Sequence, residues 1–192
     1  MNSKAYRIVN LITFYRLVAA PLLVLLLLYK QFSLFKWLLA LSFFTDAIDG
    51  WLARRFQVIS VLGARIDSVA DDLTILVAIL GIIIYRPGFL PGKWMLVGAM
   101  TLLYITQNSM ALIRYRKLTS FHTYIAKVAA VLQGVFLVLF FFLTQALQAL
   151  FYIMAGITIL DLAEEILLVV VLPQWEANVK GLYWVYKRKD CL

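Results

Sequence analysis

Between Asp46 and Asp71 the chain reads DAIDGWLARRFQVISVLGARIDSVAD, which sets four carboxylates, two glycines and three arginines in an apolar neighbourhood. Asp46, Asp49, Gly50, Ala53 and Arg54 recur at offsets of three, four, seven and eight, one face of a helix. Gly63, Asp67 and Asp71 repeat at offsets of four and eight and form a second face. The segment between them, RFQVISVL, is short enough that the two helices must be antiparallel neighbours, so the acidic faces can meet. Four facing carboxylates in a low-dielectric site raise one another's pKa unless a cation compensates them. Oxygen ligands without His or Cys suit a hard divalent ion, Mg²⁺ or Mn²⁺, and not zinc. Arg54, beside the nearly bare backbone of Gly50 and Ala53, suits an anionic group such as phosphate. Together these features suggest metal-assisted phosphoryl transfer, with one carboxylate accepting the proton of the nucleophile.

The elements that position these residues are long apolar helices. Of 192 residues, 64% are hydrophobic and 15% charged, and the mean hydropathy is +0.91, a composition that marks an integral membrane protein. Six spans of adequate length lie near Ile8–Leu28, Leu34–Phe56, Val61–Tyr85, Trp94–Ile113, Tyr124–Leu147 and Leu150–Leu172. The second, third and sixth carry acids, each disfavoured at membrane depth by roughly 2.5–3.5 kcal/mol, and are retained because a polar face can be buried against other helices. With the N-terminus inside, fourteen of the eighteen Lys and Arg residues fall on inside segments, leaving Lys30, Lys36, Arg86 and Lys93 outside. This bias places both termini and the acidic cluster on the cytoplasmic side of the cell inner membrane, with RPGFLPGKW as an outside turn. The net charge of +8 then follows from topology and anionic headgroups, without nucleic acid.

The expected fold is therefore all-α and polytopic, with six transmembrane helices, a short N-terminal interfacial segment and a C-terminal interfacial tail. Residues 1–173 form the membrane domain and 174–192 the tail. MNSKAYR has the charge of a signal-peptide n-region, but the apolar run after it is long enough to span and lacks a small-residue cleavage pattern. The single cysteine, Cys191, excludes an intrachain disulfide, and KDCL is not a prenylation box. In the tail, Trp175, Tyr183, Trp184 and Tyr186 precede Lys187, Arg188 and Lys189, which suits aromatics at headgroup depth and cations in the polar layer.

Asp46, Asp49, Gly50, Ala53, Arg54, Gly63, Asp67 and Asp71 match every fixed position of D-x2-D-G-x2-A-R-x8-G-x3-D-x3-D, and the chain thereby resembles the CDP-alcohol phosphatidyltransferase family. The six-span count and the motif's place across spans two and three are similar to that family too, and the resemblance is nearest to its phosphatidylglycerophosphate synthase-like members. It implies transfer of a phosphatidyl group from CDP-diacylglycerol to a small alcohol, with release of CMP. By that resemblance Asp46, Asp49 and Asp67 hold metal, while Asp71 completes a site for two Mg²⁺ (or Mn²⁺) ions and is the catalytic general base. Gly50, Ala53 and Arg54, together with Gly63 and Ser60, belong to the donor site. Asn10, Thr13 and Arg16, an N-x2-T-x2-R face of span one, resemble the start of glycerophosphate-using members, which puts Asn10 and Thr13 beside the donor. The resemblance also implies a homodimer.

The acceptor is less legible. Glycerophosphate-using members and eukaryotic cardiolipin synthases commonly read D-P-x-A-D-K across the last two acids, where this chain has Ser68 for the proline and Asp72 for the lysine. Glycerol 3-phosphate is the first expectation, with inositol, inositol phosphate, serine and choline as alternatives. Arg114 and Lys127, with Arg116 and Lys117 nearby, could bind a phosphorylated acceptor or could reflect positive-inside topology alone. His122, the only histidine, reads as a helix-end hydrogen-bonding group before a catalyst. Asp161, Glu164 and Glu165 in span six lie on one side of a helix, either paired with Lys127 or an arginine of span four or in contact with acceptor hydroxyls. The competing class for the main cluster is a small cation transporter or a structural membrane protein, yet the inverted repeats that would favour transport are not evident.

Overall fold

In the computed structural model the described residues are 3–56, 61–119, 121–143, 147–176 and 179–189; side chains are described for these except 3–13, 16–17, 47, 49–56, 61–69 and 189. Among them the architecture is all-helical: α1 (Ser3–Leu28), α2 (Phe32–Phe56), α3 (Val61–Tyr85), α4 (Trp94–Tyr115), α5 (Tyr124–Phe142), α6 (Gln148–Val171) and the short α7 (Leu182–Lys189). The first six correspond to the six expected apolar segments. Helix α1 runs unbroken from Ser3, so the expected N-terminal interfacial segment continues the helix of the first span. Helix α5 stops at Phe142, short of the expected Leu147, because hydropathy alone runs across the polar pair Thr144 and Gln145. Two helices, α4 and α5, are long and apolar enough to cross a membrane by length and composition among the described residues.

The chain divides into two compact units, residues 1–90 with 141–144, and residues 91–140 with 145–192. In the first unit α1 packs against both α2 and α3. Ala19, Ala20, Leu23 and Leu27 form the buried face of α1, and Phe35 and Leu39 of α2 and Ala70, Val77, Ala78 and Ile82 of α3 are buried with them. Its other face is equally apolar but outward: Val18, Leu22, Leu25 and Leu28 are exposed. From Val18 to Leu28 the helix is therefore apolar on its outward side as well as its packed one.

The turn from α1 to α2 is closed by backbone alone. Lys30 adopts a left-handed conformation (φ 55°) while its N–H donates to Leu27 O and that of Gln31 to Leu26 O. This is the helix-ending pattern in which glycine is usual, and it satisfies carbonyls the last turn would otherwise leave open. Near the end of α3, Gly81 faces an aromatic cluster. A Cβ built there would lie 2.7 Å from Phe35 Cζ and 3.0 Å from Phe141 Cζ. Phe35 is fully buried and meets Phe141 edge-on at 5.2 Å. Tyr85, one helical turn further, donates its hydroxyl to Leu26 O at 3.3 Å. The expected outside turn follows as a short 3-10 turn, Pro87–Phe89, with proline at its start where the missing N–H costs nothing.

In the second unit α4 packs along α6, and α7 folds back on α6. One core joins Ala111, Phe121, Leu168, Val169, Leu172, Val179 and Val185, so the C-terminal tail is part of this unit's interior. The open carbonyls at the end of α6 are taken up by α4: the Tyr115 hydroxyl lies 2.9 Å from Val169 O and 2.8 Å from Leu172 O, and Arg114 donates to Leu172 O at 3.1 Å. Farther along the same unit Gln133 donates to Thr158 Oγ1 at 2.9 Å, and Phe136 meets Phe151 at 5.7 Å, joining α5 to α6.

Candidate functional site

The first candidate site is carried by α2 and α3. Both helices run without interruption through the motif, from Phe32 to Phe56 and from Val61 to Tyr85, so the offsets of three, four, seven and eight are faces of real helices. The two helices pack against each other and each against α1. Asp46 and Asp71 are half-buried, and each takes part in a polar interaction; Asp72, where some relatives of the pattern have lysine, is exposed. The neighbourhood of Asp71 is fixed by packing. Ala70 is fully buried, and Thr74 donates its hydroxyl to Ala70 O at 2.7 Å, so the turn bearing Asp71 is held on both sides. Before Asp46, Thr45 donates within its own helix to Leu41 O at 2.8 Å, sparing that hydroxyl the need for an external partner. The side chains of Asn10, Thr13, Asp49, Gly50, Ala53, Arg54, Gly63 and Asp67 lie outside the described residues, as does Ser60 entirely.

The second candidate site lies in the other unit, on the inner side of α6. Glu165 accepts a hydrogen bond from the side-chain amide of Gln107 on α4, and the same amide nitrogen reaches Thr119 Oγ1 in the loop after α4. Gln107 is 2% exposed, so its amide is a buried polar group that needs these partners. Glu164 Oε1 accepts the backbone N–H of Leu182 at 2.9 Å. Asp161 Oδ1 and Glu164 Oε2 are buried and have no hydrogen-bond partner among the described residues. For Glu164 and Glu165 the expected pairing with Lys127 or an arginine of α4 is replaced by neutral donors, a backbone N–H and an amide. The reason is geometric, because the cations of this unit point elsewhere. Arg114 caps α6, and Lys127 Nζ lies 5.3 Å from the Tyr124 ring centroid. These acids do not assemble into a metal-holding group of three among the described residues.

His122 is exposed in a left-handed conformation (φ 53°) in the loop before α5. Gln107 and Thr119 were not singled out from the sequence. The available signal was that Gln107 precedes Arg114 by seven residues, two turns of the same helix, in an otherwise apolar stretch.

Among the described residues the chain is all-helical, and the motif falls on two helices that pack against each other. A sequence profile described as CDP-alcohol phosphatidyltransferase matches residues 6–170, and the chain belongs to that family, a family of enzymes. It is similar to a cardiolipin synthase (CMP-forming) / mitochondrial hydrolase fusion protein of Schizosaccharomyces pombe, 34% identical over 71 residues, 37% of this chain and 12% of that protein. It is also similar to phosphatidylcholine synthase of Legionella pneumophila, 39% identical over 62 residues (30% of this chain, 24% of that protein). A third relative is CDP-diacylglycerol--inositol 3-phosphatidyltransferase 1 of Arabidopsis thaliana, 46% identical over 55 residues (28% of this chain, 24% of that protein). The matched segments thus span a quarter or less of these relatives' lengths. No solved structure matches the chain.

Proposed function

We propose that this protein transfers a phosphatidyl group from CDP-diacylglycerol to a small hydrophilic alcohol and releases CMP. The observation that carries the reading is the complete eight-residue motif, set on the continuous helices α2 and α3 within the family match. In this reading Asp46, Asp49, Asp67 and Asp71 hold two Mg²⁺ or Mn²⁺ ions. The donor set fits, since carboxylates on two adjacent helices are hard oxygen ligands, and Asp46 and Asp71 are half-buried as ligands reached from one side would be. Bound metal would neutralise charge on the donor pyrophosphate. Arg54, Gly50, Ala53, Gly63, Ser60, Asn10 and Thr13 would hold the donor's phosphates and nucleotide. Asp71 would take the proton of the acceptor hydroxyl as its oxygen bonds to the diacylglycerol-side phosphorus. The phosphorus–oxygen bond to the cytidine phosphate breaks, and CMP leaves with that electron pair.

Glycerol 3-phosphate stands first among the acceptors in this reading. The relatives' names, which include choline- and inositol-linked products, keep choline and inositol beside it. The six long helices are proposed to span the inner membrane with both termini and the acidic faces cytoplasmic, the protein acting as a homodimer. Apolar side chains exposed on the long helices support the membrane setting, for example Leu102 (66%), Ile113 (83%), Val131 (65%) and Leu160 (62%). The deciding experiment incubates purified protein with CDP-diacylglycerol, Mg²⁺ and, separately, glycerol 3-phosphate, inositol phosphate, inositol, serine and choline. CMP release with one acceptor supports the proposal and names the acceptor; an entirely flat panel rejects this donor class.

A further inference from the structure

The C-terminal tail is built into the second unit in a way that membrane topology does not require. Leu182 and Val185 of α7 and Val179 before it enter the core with Leu168, Val169 and Leu172 of α6. The backbone N–H of Tyr124 donates to Lys180 O at 3.3 Å, and Glu164 accepts the first N–H of α7. Gly181 (φ 145°) allows this approach, since a Cβ there would stand 3.0 Å from Glu164 Oε1 and 3.3 Å from the Trp184 ring. With one side of α7 so fixed, the other presents Tyr183, Trp184 and Tyr186, at 67%, 44% and 51% exposure, beside exposed Lys187 and Arg188.

The same core ties this surface to the end of α4. Trp175 donates its indole N–H to Leu118 O at 3.0 Å, and Lys117 Nζ lies 4.8 Å over the Trp175 ring. Arg116, Lys117 and Lys180 are exposed with α7, and the carboxylate described among them is Glu176, bound to Arg188 at 2.9 Å. Cations therefore dominate a rim in which large aromatic rings are also outward. Water alone disfavours such rings, whereas the headgroup layer accommodates both ring and cation.

We propose that α7 and the loop after α4 form a binding surface for anionic phospholipid headgroups, so that the membrane's own negative charge seats the tail. The occupant is a lipid surface and not a soluble phosphate, because the cations are spread and exposed with the aromatics between them, and each cation near such a surface strengthens attachment about fivefold. The surface goes beyond the transferase reading and does not depend on it.

The test uses a Cys191→Ser background, which leaves no other cysteine, with Tyr183→Cys carrying an environment-sensitive fluorophore. The full chain is reconstituted in nanodiscs of phosphatidylcholine with or without phosphatidylglycerol. Blue-shifted, brighter emission with phosphatidylglycerol, reversed by salt, is expected. Lys180→Glu with Lys187→Glu should weaken the lipid dependence by about an order of magnitude or more, and Lys180→Gln with Lys187→Gln should fall between. Emission indifferent to anionic lipid overturns the proposal, as does displacement by free glycerol 3-phosphate or inorganic phosphate. Because the readout is fluorescence, it is independent of whether any acceptor releases CMP.

Discussion

Glu164 on α6 accepts the backbone N–H of Leu182 at 2.9 Å, so a carboxylate within the sixth long helix closes the N-terminus of the last one. The contact bridges eighteen residues and uses one of the donors that every helix start leaves open. A carboxylate also suits the positive end of the helix dipole. Glu164→Ala is expected to loosen the tail by about 1–2 kcal/mol, read as faster amide exchange over residues 182–188. Glu164→Gln keeps an acceptor oxygen and should lose less; equal protection in all three proteins would show that the latch is not the restraint.

Gln107 satisfies Glu165 and Thr119 with one buried amide. Gln107→Leu fills similar space but removes the donor, leaving the half-buried Glu165 side chain without it at a cost of about 1–3 kcal/mol. The expected result is a lower melting temperature in detergent, and unchanged melting would mean that water or another donor replaces the amide.

Gly81 gives its Cβ space to Phe35 and Phe141. Gly81→Ala forces a ring out of a packed aromatic cluster and is expected to destabilise by about 1–3 kcal/mol, even though alanine favours a helix more than glycine does. A Cβ on Gly98, in α4, would meet no atom within 4 Å, so Gly98→Ala is the matched control and should be neutral or stabilising. Equal effects from the two substitutions would contradict the crowding at Gly81.

Asp71 is the proposed base. Asp71→Asn should lower turnover by about 10²–10⁴-fold while metal-dependent nucleotide binding, followed by calorimetry with a CDP-linked donor, largely persists. Turnover at the original rate would remove Asp71 from that role.

Chelation tests the proposed ions directly. Removing divalent metal should abolish CMP release, and adding Mg²⁺ or Mn²⁺ should restore it, whereas Ca²⁺, larger and more loosely coordinated, should restore it poorly. Full activity in excess chelator would exclude the hard-ion site.

The order of the long helices was legible because each apolar run is bounded by residues that end it: Lys30 and Gln31 after α1, the RPGFLPGK turn after α3, and Arg116 to Thr119 after α4. That the motif falls on two helices was legible because its offsets follow the helical repeat, and α2 and α3 provide those helices. The acids of α6 were not. Opposite charge suggested Lys127 or an arginine, but Arg114 is drawn to the open carbonyl of Leu172, and the carboxylates take a glutamine and a backbone N–H.

By itself the sequence determined the helical architecture and the family, because apolar run length and fixed local spacing are properties of neighbours along the chain. Tertiary structure alone decided which donor meets which acid, that Gly81 must stay small, and that the tail is anchored on α6. Those depend on groups far apart along the chain, 18 positions for Glu164 and Leu182 and 58 for Gln107 and Glu165, whose meeting is set by how the helices pack and not by their order.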